Sequence, residues 1–408
     1  MEPSKAPEAV GSAERDVSDP HRGVPPMEPV SDVVFSDGIY LSIDPPVAPE
    51  ADVESPPLTA TAVPPPPTAP PATPAPTAQP ATPPPPTAVP TPQPIALASA
   101  GRILISSAEL MALPTSGAAW DALVRESNAL GSVNLGDQDE NDDVRLLARA
   151  LVTVRTGGDV GPIHAALARI PGTEGSSTLA LGRNLAPVVL AADLVGYRDP
   201  GFASWLRGVL RTSIDGRTLI STHEDRPNNW GTHAGASRIA VALYLNDTTD
   251  LARAAAVFRG WLGERSAYAG FEYGELDWQA NASAPVGINP RGATRNGHSI
   301  DGVLADDQRR AGGFSWPPPK ENYVYEALQG ALLQAELLTR AGYPAYSWGD
   351  QALKRAFTWL HTQAGYPAEG DDTWQPHLVN YRYGTSFPAP IASQHGKGFG
   401  FTDWLYRR

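Results

Sequence analysis

Residues 228–245 read NNWGTHAGASRIAVALYL. Two asparagines, a tryptophan and a histidine lead into an apolar run with no break, so the segment reads as a helix buried on all sides with a polar entrance. The same character recurs on both sides of it. STLALGRNLAPVVLAADLVGY (177–197) is a strongly apolar helix in which Pro187 predicts a kink or a break. ENDDVRLLARALVTVRTG (140–158) opens on capping and acidic residues and ends on glycine. GFASWLRGVLRTSI (201–214), DLARAAAVFRGWLGERS (250–266), ENYVYEALQGALLQAELLTRAGY (321–343) and GDQALKRAFTWLHTQAG (349–365) complete a helical pattern almost without strand-type alternation. No strict repeat period is visible, which disfavours a regular solenoid. The fold class is all-α, with helical hairpins packed into a curved or closed layer.

Composition divides the chain into three parts. Residues 1–44 form an acidic, weakly apolar tail in which only VVFSDGIYLSID (33–44) has strand-like patterning. Residues 45–100 are a linker dominated by Pro, Ala and Thr. Such a run buries too little apolar surface to offset its ordering entropy, and it favours an extended polyproline conformation. Residues 101–408 are long enough for a sizeable core. The tail and linker together carry 12 acidic and 3 basic side chains, so −9 of the formal charge of −13 sits there and −4 on the folded part. That balance gives no uniformly basic face, and no nucleic-acid partner is expected.

Absent cysteine excludes disulfides, thiolate zinc sites and cysteine nucleophiles. No apolar run approaches the ~20 residues of a membrane helix. The first residues lack the basic and apolar regions of a secretory signal. A Pro/Thr spacer joined to a domain nevertheless resembles secreted bacterial enzymes.

The stretch 267–320 is too long for an idle connection inside a compact domain, and its aromatic and basic residues are not those of a disordered segment. It is expected to form the wall of a site. Asn228 or Asn229 alone reads as a helix cap. Asn229 and His233, four residues apart, share a helix face and converge on one ligand if the helix has begun. Capping plus a structural histidine is the competing reading.

NNWGTHAGASRIAVALYL, DGVLADDQRR (301–310) and ENYVYEALQGALLQAELL (321–338), in that order, resemble the alginate lyase family of polysaccharide lyases. The resemblance covers about residues 101–408, is carried by these three motifs, and is weak elsewhere. It implies an incomplete (α/α) toroid and cleavage of 4-linked uronic-acid polymers, such as alginate or glucuronan, by β-elimination. It also implies a secreted or periplasmic location and an acidic polysaccharide as partner. Carried over by position, the family's asparagine falls on Asn229, its arginine on Arg310 and its tyrosine on Tyr325, with Tyr323 two residues away. The histidine departs from the pattern: Trp230 stands where the family has it, and His233 lies about one helical turn further on.

The chemistry requires these residue types. Removing the proton at C5 places further negative charge beside a carboxylate, which a cation and neutral hydrogen bonds must offset; Arg310 and Asn229 suit that. A base takes the proton and an acid supplies one to the departing O4. Tyr325 and His233 are the candidates, and His298 is a second base or a substrate contact. No metal or other cofactor is required. Asn228, Trp230, Arg295, Arg309, Trp316 and Tyr323 are the expected substrate contacts, with Tyr273 and Trp278 as further stacking surfaces. Arg238 is a candidate cleft charge, and each aromatic or charge here also has a plain structural reading.

Two local signals point elsewhere. HGKGFGF (395–401) lacks the Ser/Thr and the strand of a phosphate loop, and places His395 or Lys397 at the rim. HED (223–225) is expected to be a loop rather than a metal site. FEYGELDW (271–278) supplies Glu272, Glu275 and Asp277, the carboxylates that a glycoside hydrolase on an (α/α) barrel needs. A non-catalytic glycan-binding domain on a spacer is the third reading.

Overall fold

The computed structural model describes residues 103–406; the acidic tail, the linker and the 33–44 segment lie outside it. The described chain is mostly helical, about half of its residues lying in helices and almost none in strands. In order it forms α1 (Ser107–Ala112), α2 (Ala118–Asn128), α3 (Asp142–Thr156), α4 (Gly161–Leu167), α5 (Thr178–Leu194), α6 (Pro200–Val209) and α7 (Leu219–Asp225). Then come α8 (Asn229–Tyr244), α9 (Thr248–Trp261), α10 (Ala305–Gln308), α11 (Tyr323–Arg340), α12 (Trp348–Thr362), α13 (Gln375–Tyr383) and α14 (Thr402–Leu405). The strands described are β1 (Thr294–Arg295) and β2 (His298–Ser299), an antiparallel two-residue pair.

Side-chain volume decides which helices are inside. In α5 and α8 every residue but one or two is buried, the exceptions including Arg183 and Trp230, and α11 is buried from Ala327 to Leu338. Helices apolar all round belong in a core. α3, α5, α8 and α11 pack side by side in that order, with α2, α7 and α9 outside them. The inner row is parallel. Gly182 of α5 lies against Ala234 of α8, and Ser237 Oγ donates to the Gly182 carbonyl at 2.7 Å. Further along, Tyr244 at the end of α8 bonds the Tyr197 carbonyl just beyond α5. Gly330 of α11 sits so close to Thr232 and His233 that a Cβ there would lie 2.5 Å from the backbone, so only glycine permits this approach.

The C-terminal segment closes the row into an incomplete ring. Trp404 Nε1 donates to the Pro114 carbonyl at 2.9 Å, and Arg340 at the end of α11 pairs with Glu109 of α1 at 3.1 Å. The expected helical toroid is therefore present. Pro187 does not break α5, which runs continuously from Thr178 to Leu194. Pro187 removes one helical donor, that to the Arg183 carbonyl, but apolar packing on every side holds the helix.

The expected wall, 267–320, is irregular yet internally fixed. Buried Asn289 donates to the Trp278 carbonyl at 2.8 Å, and Gln279 and Val286 exchange two hydrogen bonds. Trp278 is therefore core, with its indole N–H on the Gly312 carbonyl at 3.0 Å, and not a stacking platform. No described helix is long and apolar enough to cross a membrane.

Candidate active site

Because the inner helices are parallel, their N-terminal ends gather at one side of the ring, where unpaired N–H groups favour negative charge. α8 begins there. Asn228 is its cap, the side-chain oxygen accepting the Trp230 N–H at 3.2 Å. Asn229 is not a cap. Its backbone N–H donates to Asp307 Oδ1 at 3.0 Å, while both atoms of its buried side-chain amide meet no partner among the described residues. One turn on, His233 is 1% exposed and its Nε2 also has no partner. Burial, then the charges of Arg183 and Lys397, hold its pKa well below the usual histidine range; a hydrogen bond to the Glu326 backbone opposes them. His233 is thus neutral, with its lone pair on Nε2.

The charges around this pair come from α3, α5 and α11 and from the C-terminal segment beside them. Arg183 of α5 pairs with Glu326 of α11 at 3.3 Å. Lys397, from the glycine-rich C-terminal segment, is buried. It reaches the Glu140 carbonyl, Asn184 Oδ1 at 2.9 Å and Asp143 Oδ1 at 3.5 Å. Lys397 is consequently an interior tie rather than a rim residue. Burial raises the pKa of Asp143 and of Glu326, in each case against the pull of a neighbouring cation. Glu140 is pushed up to about 7, first by burial and also by Asp143 and Asp142.

Arg310 completes the group from the irregular wall. Its guanidinium lies 4.0 Å from the centre of the Tyr323 ring, and its charge acts on both Asp307 and Glu321. Asp307 is buried and its pKa is raised well above normal, by burial first and then by Asp306. Tyr323 opens α11 and is partly exposed. Glu326, one turn on, faces Arg183, and Gly330 faces His233, so Tyr323 lies on the side of α11 that looks toward α8.

Tyr325 lies elsewhere. Two residues on a helix differ by about 200° in direction. Its ring packs against Phe357 and its hydroxyl donates to the Tyr366 carbonyl at 2.7 Å, in the core. His298 is also apart: it stacks on Trp316 at 4.4 Å and 9°, on the β1–β2 hairpin side of the wall. Arg295 is used by the loop, donating to the Gln279 carbonyl at 3.2 Å. Arg309 pairs with Asp306 at 2.9 Å and with Glu275. Trp230 is partly exposed, with Arg226 5.4 Å from its ring centre. Arg238 is buried between Glu224 and Asp250, at 2.9 and 2.6 Å, and is structural rather than a cleft charge. Glu272, Glu275 and Asp277 are exposed, and the first two pair with Arg217 and Arg309.

Arg183, Glu326, Asp143, Asn184 and Asp307 belong to the cluster without having been singled out from the sequence. For Arg183 and Glu326 the available signal was a charge within a mostly apolar helix, which must find a partner when buried. Comparison with protein-family models, with curated proteins and with solved structures finds no match to the chain.

Proposed function

We propose that this chain is a polysaccharide lyase that cleaves a 4-linked uronic-acid polymer by β-elimination. The observation that carries the reading is the pairing of two neutral, buried and unpartnered polar groups, the Asn229 amide and His233 Nε2, on one helix turn within a cluster that also holds Arg310 and Tyr323. Unsatisfied buried polar atoms are costly to keep, and a ligand that satisfies them offsets that cost.

In this mechanism Arg310 and the Asn229 amide bind the uronate carboxylate and offset the charge that develops on it. His233 Nε2 takes the C5 proton. The electron pair forms the C4–C5 double bond as the C4–O4 bond breaks, and the Tyr323 hydroxyl protonates the departing O4. Tyr323 takes the acid role in preference to Tyr325, since its ring is the one beside Arg310. No metal enters these steps.

The test is a panel of alginate, glucuronan and other polyuronides, followed by ultraviolet absorbance of the unsaturated product. Absorbance should rise with at least one polymer and be lost in Tyr323→Phe. New reducing ends without absorbance would mark a hydrolase, and binding without any product a glycan-binding domain. Either result overturns the reading.

A further inference from the structure

A recess lined by none of the residues of the Asn229 cluster lies between the exposed face of α12 and the β1–β2 hairpin. Its volume is about 330 Å³, within the ~300–1,000 Å³ range of small-molecule sites. Its walls are fixed in advance. The Trp359 indole N–H of α12 donates to the Ser299 carbonyl at 3.0 Å, and Arg355 donates to the Asn289 carbonyl at 2.6 Å. A ligand entering here orders little that is not already ordered.

The lining defines what fits. Arg355 is neutralised by Asp301 at 2.7 Å, and Arg291 by Asp350. Lys354 also lines the recess and has no carboxylate partner among the described residues, so one positive charge is left over. Around it stand single hydrogen-bonding groups: Gln351, Thr358, Thr362 and Gln363. Both threonine hydroxyls spend their protons on helix carbonyls, Thr358 on Lys354 at 2.8 Å and Thr362 on Thr358 at 2.7 Å. They therefore face outward as acceptors, suited to hydroxyl donors. Trp359 is 2% exposed and offers no face on which a nucleobase could stack.

We infer that this recess binds a monoanionic sugar acid, with its carboxylate on Lys354 and its hydroxyls on Thr358, Thr362 and the two glutamines. A single surplus charge matches one carboxylate, and the hydroxyl acceptors and amides match a ring of alcohols. The site is separate from the Asn229 cluster and does not depend on the lyase reading.

The experiment titrates the full chain carrying Arg310→Ala, so that the proposed catalytic cluster loses its carboxylate anchor, with D-glucuronate, D-glucose and inorganic sulfate by calorimetry, alone and combined with Lys354→Gln or Thr362→Val. Glucuronate should bind at least tenfold more tightly than glucose or sulfate. Lys354→Gln should weaken it at least tenfold and Thr362→Val several-fold. Sulfate binding as well as glucuronate would reduce the site to an ion contact and overturn the inference. Absence of glucuronate binding, or an affinity that Lys354→Gln leaves unchanged, overturns it equally.

Discussion

Two buried polar clusters, one at each end of the inner helices, are treated in opposite ways. Near the C-terminal end of α11, Glu336 is fully buried and every lone pair is used. Its Oε1 accepts from Arg340 at 2.8 Å, from Tyr406 at 2.9 Å and from Arg382; its Oε2 accepts from Arg382 at 2.8 Å and from Tyr346 at 3.3 Å. At the N-terminal ends, the Asn229 amide, His233 Nε2, Arg183 Nε and Asp143 Oδ2 are left over. A satisfied network rigidifies a fold, whereas an unsatisfied one lowers stability unless something else meets its atoms. The first is a clasp joining α11 to the C-terminal segment. The second has the properties of a site.

The largest effect tests the clasp. Removing one partner of a buried ion cluster strands the others, at about 3–5 kcal/mol. Arg340 and Arg382 keep some solvent contact, so Glu336→Ala should cost about 3 kcal/mol, read as a lower urea midpoint. A loss below about 1 kcal/mol would remove the contrast between the two ends. Asn229→Ala sharpens it from the other side. That amide makes no hydrogen bond to lose, so stability should change by less than about 1 kcal/mol. The proposed depolymerisation should nonetheless fall by about 10²–10³ in kcat/KM, as when a preorganised donor to a developing charge is removed.

Much of this architecture is visible in the residues alone. α5, α8 and α11 read as buried because their apolar character has no polar stripe, and Asn229 and His233 stand out because they interrupt it. Arg310 is legible only through the spacing of its motif. The choice between Tyr323 and Tyr325 is not legible, since it depends on how α11 is rotated, and that rotation is set by Gly330 against α8. Lys397 escapes for another reason: its partner Asp143 is 254 residues away, and only closure of the ring brings them together. Trp278, in an irregular segment, and Arg238, within α8, mislead because an aromatic or a cation has the same appearance in sequence whether it meets solvent or a buried acceptor.

The two tyrosines of α11 give an intermediate effect and divide cleanly. Tyr325→Phe removes the hydroxyl that satisfies the Tyr366 carbonyl. It should cost about 1 kcal/mol of stability and leave the rate of any polyuronide cleavage unchanged. Tyr323→Phe keeps the ring that Arg310 covers, so stability should hold while cleavage is lost. If the two variants exchange these behaviours, the acid belongs in the core and the arrangement around Arg310 is not the reacting one.

The smallest effect is a pH dependence that comes from the site end alone. Glu140 accepts the Asn134 N–H at 2.8 Å and faces Asp143, Asp142 and Lys397; its pKa stands at about 7 against an ordinary 4.5. Between those values the folded chain holds a proton that the unfolded chain has released. Stability from this group is therefore complete below about pH 4.5 and is lost as pH rises through 7. The buried histidines act oppositely. His223, lowered to about 3, and His395 contribute above the ordinary histidine pKa and lose that contribution as pH falls. Only a difference between two chains isolates Glu140. Glu140→Gln retains the acceptor for Asn134 and fixes the uncharged form, so its melting temperature should match the wild type near pH 4.5. By pH 8 it should exceed the wild type by about 2 °C, a small gain because half-exposed charges are well screened. A gain that is the same at both pH values would show that Glu140 is ionised throughout, and that the polar end of the ring is less dry than its unpartnered atoms indicate.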